Sequence, residues 1–565
     1  MWELKSFDKE KEASLLKLNK NRLLSRLLSQ RSMKIEDIDS FTSASYNEMS
    51  HPHSLGGVEE AAKMFCQSIK DDESIAVFSD YDCDGIFSSV MISELCKCFN
   101  KKCKVFIPSR LEHGYGINDI SLKAFKEYVE TPIDLLIVLD CGSNNEKEIT
   151  DLKKFGIKKV IIIDHHIVEK EKESKSADVL INWRNTDSQE MCTCGEVYQF
   201  IRGIRWLTKK VDPIEFISYA AIGTIADVVS LTGDNRIIVK HGIGEYAFNH
   251  VVSQGLHSLI KASKIYDNNM SAEDISFKIA PRVNAAGRIS DPKIAYNLLI
   301  ERNSSTADLI ANGLNDLNNE RKTIQNKMAK EAEKMVLDNG DQYKHGILLY
   351  KPDWNIGTVG IVASRLVDKF HKPSIVVGRI GDIFKGSGRS LGNTHLKNIL
   401  DNCKDIFVKH GGHELAAGVT MNTEMLDEAN SVFNQACKEY YDINGFPEEK
   451  QYYDAKLRIE TVSVDTAKLL IENLYPYCKQ NNPNPVFCLQ NVTIDETELR
   501  EGENWRLLNF KAVSDGKVSP KMCMFSDKYG TEINGCKANI YFTFPQSIPT
   551  YKNRFQLNVS DLEIL

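Results

Sequence analysis

The sequence lacks the run of about eighteen uncharged apolar residues from which a membrane-spanning helix is built. Its opening residues lack the apolar centre of a signal peptide. A soluble cytoplasmic protein with no membrane partner is the expectation. Basic excess is also missing: the formal net charge is -7, which argues against a general nucleic-acid coat but leaves room for a local basic groove. Zinc spacing is absent too. Cys96/Cys98 and Cys192/Cys194 are too close together for a zinc knuckle, and 14 cysteines suit a reducing compartment.

What is present is a chain of 565 residues, too long for one core and long enough for three or four domains. The stretch Ser74 to Gly85, SIAVFSDYDCDG, organises it. The apolar run Ile75-Ala76-Val77-Phe78 reads as a buried strand of an α/β sheet. Asp80, Asp82 and Asp84 follow, and Gly85 closes the motif. Carboxylates this close repel one another, and hard metal ions are the usual remedy. Two further apolar runs end similarly, at Asp140 and at Asp164-His165-His166, and an apolar segment surrounds Asp227. Parallel strands bring their carboxyl ends to one edge, so these groups are expected to meet there.

This set supplies oxygen and nitrogen ligands but no thiolate, which suits Mn²⁺ or Mg²⁺, with the histidines favouring Mn²⁺. The ligands exceed the needs of one ion, so two ions and phosphoester hydrolysis are expected. Asp82, Asp84, Asp140, His165 and Asp227 are the expected ligands. Asp80 is a ligand or orients one, Asp164 orients an imidazole or binds metal, and His166 is a ligand or a general acid.

The order of elements gives an α/β chain. Residues 1–45 read as an N-terminal helical segment, basic between its leucines, that docks or touches nucleic acid. Residues 46–240 read as the first α/β domain, 241–342 as a helical connector and 343–435 as a second α/β domain. A linker over 436–451 leads to a small antiparallel barrel over 452–565. Ser88 lies in the first turns of the helix after Gly85. Arg110 is a candidate phosphate clamp, and Tyr115 stacks or packs. Arg282 and Arg288 bracket small residues in Pro281 to Arg288. The runs Lys385 to Ser390 and His410 to Glu414 read as Gly-rich loops whose backbone N–H groups form an anion nest. Thr232 to Asn235 reads as a turn. In the barrel, Trp505, Phe510, Tyr541, Phe555, Lys537 and Arg554 are candidates for stacking bases and binding phosphate, with half of the aromatics assigned to the core.

Together these motifs resemble the DHH family of phosphoesterases, named for Asp-His-His, and within it the RecJ family of single-strand-specific DNA exonucleases. Asp80 to Gly85, Asp140, Asp164 to His166 and Gly223 to Asp227 match its metal motifs. Gly386 to Ser390, Gly411 to His413 and Ala416 to Gly418 match the DHHA1-like second domain. Pro281 to Arg288 resembles the connector motif, and Asn482 to Phe487 the start of an OB-like barrel. The resemblance implies manganese-dependent 5′-to-3′ digestion of single-stranded DNA to mononucleotides in repair and recombination. A helicase and a single-strand-binding protein are possible partners, and a monomer is expected. It also implies phosphate contacts from Arg110, Arg282, Arg288, Arg389 and His413, and substrate contacts from Asn284, Ser387 and Ser390. Asn355 stands where the family commonly carries His, and the further C-terminal domain of some relatives is expected to be absent. Two alternatives share the motifs: a phosphatase for short oligonucleotides or other small phosphoesters, and a non-catalytic nucleic-acid adaptor. The connector and barrel argue against the first, and the full set of carboxylates against the second.

Overall fold

The structure is a computed structural model that describes every residue except 1, 19–20, 187, 244–252, 266–269, 382, 393, 404, 422, 448–449, 480, 503–504 and 549–554. Among the described residues no helix is long and apolar enough to cross a membrane.

The chain opens with a short strand, β1 (Trp2–Leu4), which pairs in parallel with β12 (Gln451–Tyr453). Three helices follow, Lys9–Lys17, Arg22–Ser29 and Ile38–Ser43. The strand is absent from the sequence reading of residues 1–45. The helices dock as their leucine spacing requires, because Leu15, Leu24, Leu27 and Leu28 are buried against the C-terminal barrel.

The first α/β domain is built on β2 (Ile75–Ser79), β3 (Cys103–Phe106), β4 (Leu135–Leu139), β5 (Lys159–Ile163) and β6 (Val179–Ile181), all parallel in the order β3-β2-β4-β5-β6. Every residue of β2 and β4 is buried, as a sheet covered on both faces demands. Phe87, Val90 and Phe200 pack on one face, and Phe125, Ile149 and Leu152 on the other. The chain enters at β2, moves to β3, then returns past β2 to β4. The order therefore reverses between β2 and β4, and α/β sheets place their ligand crevices at such a point. The turn expected at Thr232 to Asn235 is instead the start of the helix Gly233–Gly242.

The helix Ser304–Asp338 is a strut about 50 Å long at 1.5 Å per residue. Ala307, Ala311 and Leu314 bury in the cluster that joins the connector to the first domain, chiefly against the helices Gln254–Ala262 and Ala280–Ile289, and Met328, Ala329 and Ala332 bury against the second domain. The second domain has β7 (Ile347–Tyr350), β8 (Ser374–Ile380), β9 (Ile383–Arg389), β10 (Phe407–Gly412) and β11 (Ala416–Met421) in the order β10-β11-β9-β8-β7. Both Gly-rich segments read as loops lie mostly within strands here. Gly386 and Gly388 pair across β8 and β11, and Gly411 faces Gly418. Their backbone groups serve the sheet, so the expected anion nest does not form.

The C-terminal unit contains β13 (Ala455–Lys456), β14 (Phe487–Gly502), β15 (Trp505–Ser514), β16 (Lys517–Val518), β17 (Lys521–Phe525), β18 (Lys537–Thr543) and β19 (Gln556–Ile564). The circuit β14-β18-β19-β17-β15 closes through a β14–β15 pairing, giving a five-stranded barrel. Phe510 and Phe555 fill its core. Tyr541 is buried and stacks on Trp2 at 4.6 Å, so these three aromatics are not free for bases. Trp505 and Lys537 are exposed, and Arg554 lies outside the described residues.

Arg236, fully buried in the first domain, ties the barrel unit down. Its guanidinium donates to the carbonyls of Phe41, Asn473, Leu474, Tyr475 and Pro476. Several of these close the helix Val464–Leu474, whose carboxyl end favours a cation. Arg236→Met should leave several buried carbonyls without donors, at about 1–3 kcal/mol each where water cannot reach. A lower melting temperature and faster amide exchange over residues 473–476 are expected, and unchanged exchange there would contradict the tether.

Candidate metal centre and substrate cleft

The carboxylates gather because each follows a regular element that ends at the β2/β4 edge. Asp80 follows β2 and Asp140 follows β4. Asp82 caps the helix Cys83–Cys98, with Oδ1 accepting from the N–H groups of Asp84 (2.9 Å) and Gly85 (3.2 Å). Glycine is required at 85, since a Cβ there would lie 2.5 Å from the Asp80 carbonyl oxygen. Asp84 sits in the helix's first turn and turns inward. Its two oxygens accept from Thr193 N–H (2.7 Å) and Cys194 N–H (2.8 Å). Asp227 arrives differently from its expected place at a strand end: it caps the carboxyl end of the helix Ile217–Ala226.

His165 lies between two of these acids. Its Nε2 is 3.4 Å from Asp140 Oδ1, and its Nδ1 is 3.6 Å from Asp227 Oδ2. Three overlapping sets of side chains each bring their ligand atoms within 4.8 Å of one another: Asp80/Asp82/Asp140, Asp84/His165/Asp227 and Asp140/His165/His166. All five expected ligands therefore converge. Burial, then neighbouring carboxylates, pushes the pKa values of Asp80, Asp140 and Asp227 well above the usual range. Asp80 Oδ1 is buried without a hydrogen-bond partner. Crowded acids, an open buried oxygen and a histidine kept neutral by burial all fit a divalent cation.

Asp164 serves His166. Its Oδ1 lies 2.7 Å from His166 Nδ1, and its Oδ2 accepts from Ser143 N–H at 2.9 Å. Burial alone would raise the Asp164 carboxyl, but the His166 contact holds it well below the usual range. Burial likewise opposes charge on His166, and Asp164 outweighs it, pushing the imidazole up to about 9. His166 Nε2 then faces the Tyr115 hydroxyl at 3.1 Å.

A cleft of about 590 Å³ separates the two α/β domains, lined by Tyr81, Arg110 and Tyr115 on one wall and by Lys385, Ser387 and Lys409 on the other. Arg110 sits 5.8 Å from the Tyr81 ring. Burial, then Arg110, lowers the pKa values of both Arg389 and Arg288, the latter to about 10. Arg288 reaches across the domains to the Gly357 carbonyl (2.9 Å), while Asn355 Oδ1 accepts from Gly357 N–H (2.8 Å). Asn355 thus shapes this junction rather than filling a histidine's place. Desolvation and the charges of His166, Arg184 and Lys397 depress His413. Asn284 Oδ1 and Ser390 Oγ are buried and unpartnered.

Two expected contacts lie elsewhere. Arg282 spends its guanidinium on Asn315 and the Lys278 carbonyl, tying its helix to the strut. Ser88 is fully buried and donates to Cys194 Sγ at 3.2 Å. Conversely, two residues beside the centre escaped the sequence reading. Thr193 donates through Oγ1 to Asp140 Oδ1 at 3.1 Å. Arg184 donates through Nε to the His165 carbonyl at 2.8 Å. Neither stands in a motif, so only tertiary placement reveals them.

The comparisons with known proteins follow this geometry. A model described as the DHH family, N-terminal domain, matches residues 74–224, and a DHHA1 domain model matches residues 342–439. The single-stranded-DNA-specific exonuclease RecJ of Escherichia coli (strain K12) is 30% identical over 69% of this chain and 70% of its own length. The chain belongs to the RecJ family of DHH phosphoesterases. RecJ of Bacillus subtilis (strain 168) is 32% identical over 88% of this chain, which spans 62% of that relative's length. The crystal structure of RecJ in complex with Mn²⁺ from Thermus thermophilus superposes with a TM-score of 0.81 at 23% identity, covering 100% of this chain and 79% of that one. The RecJ fold therefore extends through the barrel.

The raised carboxyls set a pH dependence. An acid whose folded pKa is raised stabilises the fold below its unfolded value, near pH 4, and that stability is lost as pH rises through the raised value. Metal-free protein should therefore lose melting temperature with rising pH. Added Mn²⁺ should restore it, by an increment small at about pH 5 and large at about pH 8. An increment independent of pH would contradict the assignment.

Proposed function

We propose that this protein is a metal-dependent exonuclease that hydrolyses single-stranded DNA from its 5′ end to mononucleotides, acting as a cytoplasmic monomer in repair and recombination. The observation that carries this reading is the carboxylate cluster beside a cleft lined by Arg110 on one wall and by Lys385 and Lys409 on the other, with the Arg288 and Arg389 guanidiniums close enough to Arg110 to feel its charge. Bound divalent ions supply Lewis acidity and lower the pKa of water at such a site. Asp82, Asp84, Asp140, His165 and Asp227 are the residues to hold them, and the two separate sets Asp80/Asp82/Asp140 and Asp84/His165/Asp227 support two ions. Oxygen with one imidazole suits Mn²⁺, with Mg²⁺ as the alternative.

The chain's own groups do the rest. Arg110, Arg288 and Arg389 meet the phosphates without reading bases, so the strand is positioned and not selected by sequence. His166, held protonated by Asp164, is placed to give its Nε2 proton to the leaving 3′ oxygen. A cleft bounded by two domains on one strut admits a single strand. The barrel then holds DNA beyond the site, with exposed Trp505 as a stacking surface.

Single strands labelled separately at the 5′ and 3′ ends test the reading. Mononucleotides released first from the 5′ end, only with Mn²⁺ or Mg²⁺, are expected. Release from the 3′ end would reverse the polarity, and turnover of dinucleotides alone would favour a small-substrate phosphodiesterase. Asp140→Ala should abolish cleavage at saturating Mn²⁺ while the fold persists. Arg389→Ala should lower kcat/KM on long single strands by about 10–100-fold, the value of one charge-assisted hydrogen bond, and leave Mn²⁺ affinity unchanged. Unaltered kinetics would remove Arg389 from the phosphate path.

A further inference from the structure

The helix Thr193–Thr208 begins against the metal centre, and its start breaks the usual rule for helix ends. Its cap position is Cys192, which makes no side-chain capping bond, although Ser, Thr, Asp and Asn are the residues that normally cap. The missing acceptor comes from another helix. Asp84 takes the first two N–H groups, Thr193 onto Oδ2 at 2.7 Å and Cys194 onto Oδ1 at 2.8 Å. The Thr193 hydroxyl is thus free of backbone duty, and it donates to Asp140 Oδ1 at 3.1 Å. An ionised Asp140, the form in which it would hold a cation, can only accept.

Asp140 needs such a partner. Its backbone has φ 60°, in the left-handed region that a non-glycine residue seldom adopts. Its N–H still donates to the Ile163 carbonyl of β5 at 3.0 Å, so the sheet holds its backbone while its side chain turns toward the centre's other acids. Thr193 Oγ1 at 3.1 Å and His165 Nε2 at 3.4 Å converge on the same oxygen, Oδ1. Thr193 is itself fully buried, so its position is set by packing and not by solvent.

We propose that Thr193 is a positioning residue of the metal centre. One residue fixes two acids from separate elements: Asp84 through its backbone N–H and Asp140 through its hydroxyl. The partly positive amino end of the helix also offsets some of the carboxylate repulsion before a cation arrives. This role rests on reading the acid cluster as a divalent-cation site, and groups behind metal ligands commonly govern affinity by about 10–100-fold.

The test is calorimetric titration of Mn²⁺ into metal-free full-length protein, which needs no activity. Thr193→Val keeps the shape and the backbone N–H but loses the hydroxyl, and should weaken Mn²⁺ binding by about 10–100-fold. Thr193→Ser keeps the hydroxyl and should restore nearly all of it. In turnover, Thr193→Val should need more Mn²⁺ to reach its plateau, with KM for single-stranded DNA unchanged. If Thr193→Val melts early without metal, Thr193→Ala makes the same comparison. Wild-type affinity in the variant that lacks the hydroxyl overturns the proposal. So does a Ser variant as weak as Val, since packing of the methyl group would then be the cause. Wild-type protein that binds no Mn²⁺ would remove the centre itself, a failure separate from that of Thr193.

Discussion

Crowded negative charge at one sheet edge is the constraint on which the rest of the structure depends. Asp80, Asp82, Asp84 and Asp140 sit where β2 and β4 part, and Asp227 closes on them from a helix end. Left alone, such a group would spread apart or take up protons. The fold holds it together with backbone N–H groups from helix starts, with His165 between two acids, and with strands buried on both faces. A divalent cation held by these side chains would complete what the partial charges begin, and would thereby add to the stability of the fold.

Positive charge gathers close to the acids, with Arg110 beside Tyr81. Burial, then the charge of Arg110, lowers the pKa values of both Arg288 and Arg389, so three guanidiniums stand near one another. Arg288 spends one N–H on the Gly357 carbonyl and Arg389 one on the Gly388 carbonyl, out of the five that a guanidinium carries. The strut Ser304–Asp338 links the walls: one half packs on connector helices that share the first domain's core, and the other half packs into the second domain.

Much of this was legible in the sequence, for identifiable reasons. Buried parallel strands are short apolar runs, and the residue after each is forced to the active edge, so Asp80, Asp140 and Asp164 could be placed from pattern alone. Asp227 could not be placed the same way, because the apolar stretch before it is equally compatible with a buried helix. Glycine misled at Gly386 and Gly411: the residue permits a loop, but here it permits close packing of strands, and only pairing partners distinguish the two. Arg282 carries the residue type of a phosphate ligand and the contacts of a strut anchor. Thr193 left no local trace, because its cap is supplied by Asp84, an acid distant in sequence.

The pairing of β1 with β12 carries a consequence for how the molecule is made. The Trp2 indole donates to Asp561, 559 residues away, at 2.9 Å, and its ring stacks on Tyr541. β1 cannot settle until β12 and Asp561, hundreds of residues later in the chain, have been made. Until then the leucines of the helices Lys9–Lys17 and Arg22–Ser29 lack the barrel they bury against, so late closure of this contact is built into the topology.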